Sequence, residues 1–445
     1  MAFKAGAAKV NITPPVGIAL GGFAARQEGC RGIHDELYAK ALVLDDGRTQ
    51  AAVVTCDLLG PERTFVEEIR GIVEEGTGIE GARIAVCGSH THSGPMWTPP
   101  IFWERKEGED IEREWAEVLP RTIAGAVLMA ADALEETKIG FGAGEADVGV
   151  NRRHRSEAGK VVIAPEPSGV RDPRVGVVRV DRADGRPLAV LVNYACHAVV
   201  LGADNLLVSA DYPGYAMRTL ERVLGDGVTA LFANGCCGNI NPKWRGSFEV
   251  AERLGNILAG EVLKVLQEIE PSADADLRME QRAIHLPIKA FPTLREAKRV
   301  VEEKRVLLSR YGDVELPEHM GGLRGELIHA QHQVAAIEAL SAQQSEEDLR
   351  QRRMATEMQA LTVGEAALVM LPGEIFAEIG LEIKERSPFE PTFVIGYAND
   401  YEVSYVPTAQ AYEEGGYEPT WAKVAPGADR VVVEEARRLL SAAKG

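Results

Sequence analysis

The chain has 445 residues, with 49 Lys plus Arg against 67 Asp plus Glu and a net charge of −18. Hydrophobic residues make up 45% and charged residues 26%, enough apolar material for a sizeable core, which excludes a disordered chain, a collagen-like repeat and a small disulfide scaffold. So acidic a chain repels nucleic acid and anionic lipid headgroups, so neither nucleic acid nor a membrane is an expected stable partner.

Residues 1–6 carry no apolar signal-peptide core, and the most apolar stretch, 123–131, is far too short to span a bilayer. Near-continuous apolar runs predict buried strands at 41–44, 51–58, 84–87, 175–180, 188–194 and 228–232. Helical patterns lie between them at 61–75, 112–136, 212–224 and 248–269, the third opened by an Asp211 cap and Pro213. Strict alternation of strand and helix fails in places, so the fold class is mixed α/β with a mixed sheet. Residues 293–356 read as two long, partly exposed helices forming a hairpin inserted into the sheet domain. Its His329 and His332 are helical neighbours with no third ligand in view, and read as polar surface. Strands resume at 360–363 and 367–371, followed by a helix from Ile375, a strand at 392–397 and a final helix from Arg430. Cys30, Cys56, Cys87, Cys196, Cys236 and Cys237 sit mostly in apolar runs without framework spacing, the pattern of reduced, buried thiols in a cytoplasmic protein.

Chemistry concentrates at strand ends. In Cys87-Gly88-Ser89-His90-Thr91-His92-Ser93-Gly94-Pro95 the two imidazoles share one face if the strand continues, which makes half of a metal site. His197 stands near the end of another apolar strand, and Glu374, in Leu371-Pro372-Gly373-Glu374, follows a third; the latter reads either as a helix cap or as a carboxylate ligand. The loop Asn234-Gly235-Cys236-Cys237-Gly238-Asn239-Ile240-Asn241-Pro242 has glycines suited to positive φ and close approach to an anion, with its vicinal cysteines as small packing residues. Five of the ten tyrosines, Tyr397, Tyr401, Tyr405, Tyr412 and Tyr417, cluster in one Gly-bearing stretch and read as a pocket wall. Residues 96–103, with Trp97 and Trp103, read as an apolar wall or aromatic rim.

In order along the chain, these segments resemble the neutral (non-lysosomal) ceramidases, zinc amidases that cleave N-acyl sphingosines. The matching pieces are the opening 5–14, Gly32-Ile33-His34, the run around His92, Asn193 to His197, the Gly-Asn-Ile-Asn-Pro loop, Pro372-Gly373-Glu374 and the stretch from Tyr405 to Tyr417. The resemblance implies a mixed α/β catalytic domain with one zinc ion held by His90, His197, Glu374 and Tyr405. It implies His92 beside the metal as a proton-transfer group, Arg152 as the active-site arginine and Tyr417 as a second functional tyrosine. The family's nucleophilic serine is replaced by Asn241 and its aspartate by Asn239. An amide is no substitute for a hydroxyl nucleophile, but Asn241 can donate a hydrogen bond to substrate or oxyanion. The family's C-terminal immunoglobulin-like module has no counterpart in residues 1–445, which are expected to form a single catalytic domain.

The expected function is a zinc-dependent hydrolase that cleaves an amide bond through a metal-activated water, acting on a soluble N-acyl substrate rather than ceramide. The sequence also admits a homo-oligomer. Two alternatives remain: a metal-dependent enzyme on an ester, lactone or carbohydrate, by hydrolysis, elimination or isomerisation, and a non-catalytic ligand-binding protein.

Overall fold

The computed structural model describes residues 2–26, 28–95, 111–312 and 322–444, so the expected wall at 96–103 lies outside the described residues. The largest sheet has eight strands, in the order Thr229–Asn234, Pro187–Tyr194, Arg174–Arg182, Glu135–Glu145, Lys4–Asn11, Tyr38–Asp45, Gln50–Cys56 and Ile84–Gly88. Its two halves meet only where Lys4 and Ala5 face Glu136 and Glu135. A second sheet contains Leu277–Pro287, Arg353–Val363, Ala366–Met370 and Thr392–Ile395.

Both halves and the second sheet turn one face towards a shared interior that includes Leu42, Val53, Leu191, Leu231, Leu361 and Phe393. The opposite faces are covered by helices. Arg63–Thr77 and Ile111–Asp132 cover one half, and Asp211–Leu224 and Phe248–Leu266 the other. Ala377–Glu385 and Ala428–Lys444 cover the second sheet. Strand Tyr38–Asp45 shows why residues 41–44 are apolar without a break: Ala41 and Val43 point to the helices while Leu42 and Leu44 point inward.

Each of the three layers contains one parallel pair: Gln50–Cys56 with Ile84–Gly88, Pro187–Tyr194 with Thr229–Asn234, and Ala366–Met370 with Thr392–Ile395. In parallel pairs the carboxyl ends lie on the same side, where open α/β sheets bind ligands. Here the three carboxyl ends are tied to one another. Cys87 pairs with Ala398 and Thr91 with Ala198. The Asn234 amide donates to the carbonyls of Ser89 (2.9 Å) and Cys196 (3.2 Å).

The sequence reading changes at several boundaries. The helix expected over 112–136 ends at Asp132, and residues 135–145 are a strand. Asp211 is the first helical residue rather than the cap; Ala210 occupies that position and makes no side-chain cap bond. The helix expected from Ile375 begins at Ala377. Helices Leu294–Tyr311 and Gly322–Gln343 occupy the expected hairpin and share the apolar contacts of Ala297, Val334 and Ile337. The strand that follows starts at Arg353, inside the stretch read as helical, and pairs with Leu277–Pro287. All six cysteines are buried, and none forms a disulfide among the described residues. Among the described residues no helix is long and apolar enough to cross a membrane.

Candidate active site

The strand Ile84–Gly88 does not continue through the histidines as expected; it stops at Gly88, and His90 adopts a left-handed φ of 63°. A non-glycine residue held there stores strain, which the surroundings must over-determine. They do so: the His90 backbone N–H donates to Leu58 O (2.9 Å) and its Nδ1 lies 2.7 Å from Leu59 O. The turn aims the ring inward, so His90 and His92 converge despite the strand's end, with Nε2 atoms 3.1 Å apart.

His197 enters from the neighbouring layer. Its Nδ1 lies 2.7 Å from Cys237 O, inside the loop that follows Thr229–Asn234. With a carbonyl on each Nδ1, the protons of His90 and His197 reside there and both Nε2 lone pairs face the centre. Potential ligand atoms of the buried His90, His92 and His197 all lie within 4.8 Å of one another. Glu374 arrives on a two-residue strand paired with Tyr405–Val406, so it is not a helix cap. Its Oε2 lies 3.4 Å from His90 Nε2 and 3.2 Å from His197 Nε2, and its Oε1 accepts the Tyr401 hydroxyl at 3.2 Å.

Burial pushes His197 down to about 3, reinforced by Arg152 and His90. Burial likewise drives His92 well below its ordinary range, helped by the two neighbouring rings. Burial works to raise the Glu374 carboxyl, and only a protonated ring at His90 or His197 would hold it well below the usual carboxylate range. The result is a carboxylate oxygen, Oε2, buried without a hydrogen-bond donor and facing two imidazole lone pairs. Such an oxygen in a dry site calls for a cation, and histidine plus carboxylate is a donor set suited to divalent zinc.

Arg152 crosses the floor of the site. It donates Nη1 to Asn241 Oδ1 (3.1 Å), Nη2 to the Tyr405 hydroxyl (3.2 Å) and Nε to Glu418 Oε1 (2.8 Å), and Nη1 lies 3.2 Å from His197 Nε2. Tyr405 and Tyr417 meet edge to face, 5.9 Å between ring centres. Above them lies a cavity of about 450 Å3 whose lining includes His92, Arg152, Asn241, Glu374, Tyr405 and Tyr417. The structure thus gathers every candidate site residue named from the sequence, with His92 among the converging nitrogens rather than beside them.

Other expectations change. The glycines of 234–242 do not adopt positive φ; a Cβ on Gly238 would stand 2.6 Å from the Glu374 carbonyl, so the loop lets backbones meet rather than cradling an anion. Asn239 is structural: its amide accepts from Ala377 N (3.0 Å) and donates to Glu378 Oε2 (2.8 Å). Cys236 and Cys237 are packing residues whose thiols burial pushes up, the former to about 12. His329 and His332 are not polar surface. Both pack on Trp421, at 5.2 and 4.8 Å, and His332 lines the cavity with its pKa pushed by burial to about 3.

Sequence reasoning missed Glu418, took Tyr401 only for pocket wall, and missed Arg26. The first two lie in the tyrosine-rich stretch, and an acid next to Tyr417 was the available signal for a partner to the buried arginine. Arg26 had none: it is buried, donates to the carbonyls of Gly21 and His92, and holds the segment that covers the His92 ring. Gly22 is required there, because its φ is +86° and a Cβ would stand 2.2 Å from that imidazole.

Comparison with known proteins bears on the origin of this arrangement. Neutral ceramidase from Drosophila pseudoobscura pseudoobscura is 24% identical over 264 residues, covering 55% of this chain and 36% of that protein. Neutral ceramidase B from Dictyostelium discoideum is 24% identical over 232 residues, 48% of this chain and 32% of that protein. The chain therefore spans about a third of these relatives. The crystal structure of neutral ceramidase from Pseudomonas aeruginosa superposes with a TM-score of 0.73 at 18% identity, over 99% of this chain and 75% of that one. A ceramidase complexed with C2 gives a TM-score of 0.72 at 16% identity, over 100% of this chain and 75% of that one. Residues 3–256, more than half the chain, match the model for the N-terminal region of neutral/alkaline non-lysosomal ceramidases, and the chain belongs to that family.

Proposed function

We propose that this chain is a metal-dependent hydrolase that cleaves an N-acyl amide bond. The observation that carries the reading is Glu374 Oε2, buried without a donor and set 3.4 and 3.2 Å from the Nε2 atoms of His90 and His197. These three residues would hold a divalent ion, zinc by donor type, with Tyr405 as the fourth ligand. When bound, such an ion polarises a carbonyl and lowers the pKa of water to about 7.

The chain's own residues supply the rest. Burial raises the Tyr417 phenol to about 12, so it remains a donor at neutral pH. Arg152 stays cationic beside Glu418 and fixes Asn241 by its carbonyl oxygen. The Asn241 amide hydrogens are thereby free for a substrate carbonyl or its oxyanion. Neutral His92, with Nδ1 unpartnered, would take a proton from the attacking water and pass it to the leaving amine, returning to its neutral form. An amide at 241 gives no alkoxide, which supports attack by water. The net charge of −18 disfavours an anionic membrane surface and supports a soluble substrate over ceramide, and buried cysteines without a disulfide among the described residues suit a reducing compartment such as the cytoplasm.

The test is metal analysis of purified protein together with hydrolysis of short N-acyl amines and of N-acyl sphingosine. About one metal per chain, lost with activity in His90→Ala, is the expected result. Full hydrolysis in a metal-free protein would overturn the reading, and activity confined to the long-chain lipid would overturn the soluble-substrate assignment.

A further inference from the structure

Among the described residues two arginines line the cavity, Arg152 and Arg245, and they differ in their pairing. Arg152 has Glu418, and the neighbouring Arg153 has Glu414 and Glu418. Arg245 lines the same cavity but forms no ion pair among the described residues. Its Nε donates to Val199 O at 2.7 Å, and the next residue, Gly246, donates its N–H to Val200 O at 2.8 Å. These bonds fasten the stem to the segment just beyond His197 and leave the Nη fork uncommitted.

The electrostatics point the same way. Arg245 is exposed as a residue, and the partial burial of its guanidinium lowers its pKa against the pull of Asp211, with the like charge of Arg152 lowering it a little further. Asp211 is a poor counter-ion: its oxygens accept the N–H groups of Leu201 and Tyr212, and burial raises its own pKa to about 6. Glu374, the carboxylate of the cavity lining, is turned to the imidazoles. Among the described residues Arg245 is therefore the cation of the cavity lining that has no paired carboxylate. A single free guanidinium fork matches a single carboxylate in a planar, two-bond geometry. Leu20, Phe23, Ile163, Ile328 and Trp421 give the same cavity apolar walls for an acyl group.

We propose that Arg245 is a specificity-determining residue that binds a carboxylate carried by the substrate, so that the site takes anionic N-acyl compounds of the N-acyl amino acid class. The assignment rests on the amide-hydrolase reading for its chemistry but not for its binding. Two probes separate the two: N-hexanoylglycine, and N-hexanoylethylamine, in which a methyl group replaces the carboxylate.

With metal-loaded full-length protein, kcat/KM is expected to favour the glycine conjugate by about 100-fold, the range of a charge-assisted hydrogen bond. Arg245→Met collapses that ratio to within about threefold, mainly through KM, and Arg245→Lys restores part of it. Calorimetric titration of N-hexanoylglycine, which needs no turnover, should show a matching loss of affinity in Arg245→Met. Equal use of both amides by the wild type, with binding indifferent to Arg245, overturns the carboxylate site and leaves the hydrolase standing. Binding that depends on Arg245 without cleavage of either probe overturns the hydrolase reading and leaves the carboxylate site standing.

Discussion

Arg152 and Glu418 form an ion pair sealed beneath the cavity, Nε to Oε1 at 2.8 Å, with side-chain exposures of only 6% and 1%. The second oxygen of the same carboxylate takes Nη1 of Arg153 at 2.7 Å. Successive residues of the strand Gly149–Arg155 point to opposite faces, so one carboxylate steadies an arginine in the candidate site and another lining a cavity behind it. Removing it leaves the buried Arg152 without a counter-ion, while Arg153 keeps Glu414. Glu418→Ala is expected to lose about 3–5 kcal/mol in urea unfolding, and Glu418→Gln less because it keeps an acceptor. A loss under about 1 kcal/mol in the Ala variant would show that the pair is not stabilising.

Glu374→Gln separates metal affinity from stability. The amide puts a donor where Oε2 now faces two lone pairs, so the metal-free variant should be more stable than the metal-free wild type by about 1 kcal/mol. It should also lose most of its bound metal. Mass action then reverses the order in saturating metal, where wild type gains about 4 kcal/mol at a thousand times its Kd. Melting curves with chelator and with excess zinc measure both arms. An unchanged order in the two conditions would count against metal at this site.

Much of this site was legible because its residues announce strand ends. His90, His197 and Glu374 each follow a continuous apolar run buried on both faces, and side chains just beyond the carboxyl ends of such strands are free to converge. The convergence itself was not legible. Asn234 bonding to Ser89 and Cys196, or Cys87 pairing with Ala398, joins segments up to about 300 residues apart and leaves no local pattern. The strands missed were half-solvated ones. Leu277–Pro287 alternates buried and exposed residues and carries charges on its outer face, so it lacks the continuous apolar run that marked the others. Glu418 and Arg26 escaped for a related reason: a buried charge looks like a surface charge until its partner is known.

Asp400 gives a pH dependence of definite sign. Burial, opposed by the Thr356 hydroxyl and reinforced by Glu402, raises its pKa to about 6, and its Oδ1 is buried without a partner. The folded state therefore binds this proton more tightly than the unfolded chain, whose value is about 3.9. Between those two pH values the contribution of Asp400 to stability is present at the acid end and is lost as pH rises. Asp400→Asn, which does not titrate, should gain on the wild type from about pH 4 to 6 and hold a constant difference above it. Urea midpoints of both proteins at pH 4.5, 5.5 and 7.5 give the difference curve. A curve that is flat, or that falls with rising pH, would refute the sign.

Asn241 tests the chemistry most directly, because its two ends face different partners. Oδ1 accepts Arg152 Nη1 at 3.1 Å, so Nδ2 is turned to the cavity that Asn241 lines. Asn241→Asp keeps the acceptor and the shape but removes both amide hydrogens. If they stabilise charge that develops on the substrate carbonyl, kcat should fall about 100-fold or more with little change in KM, the pattern of a donor used only in the transition state. Asn241→Ser supplies one hydroxyl donor in a shorter side chain and should recover part of that loss. Metal content should remain near one per chain in both variants, since the residue bonds to Arg152 rather than to His90, His197 or Glu374. A rise in KM at constant kcat would instead assign Asn241 to ground-state binding.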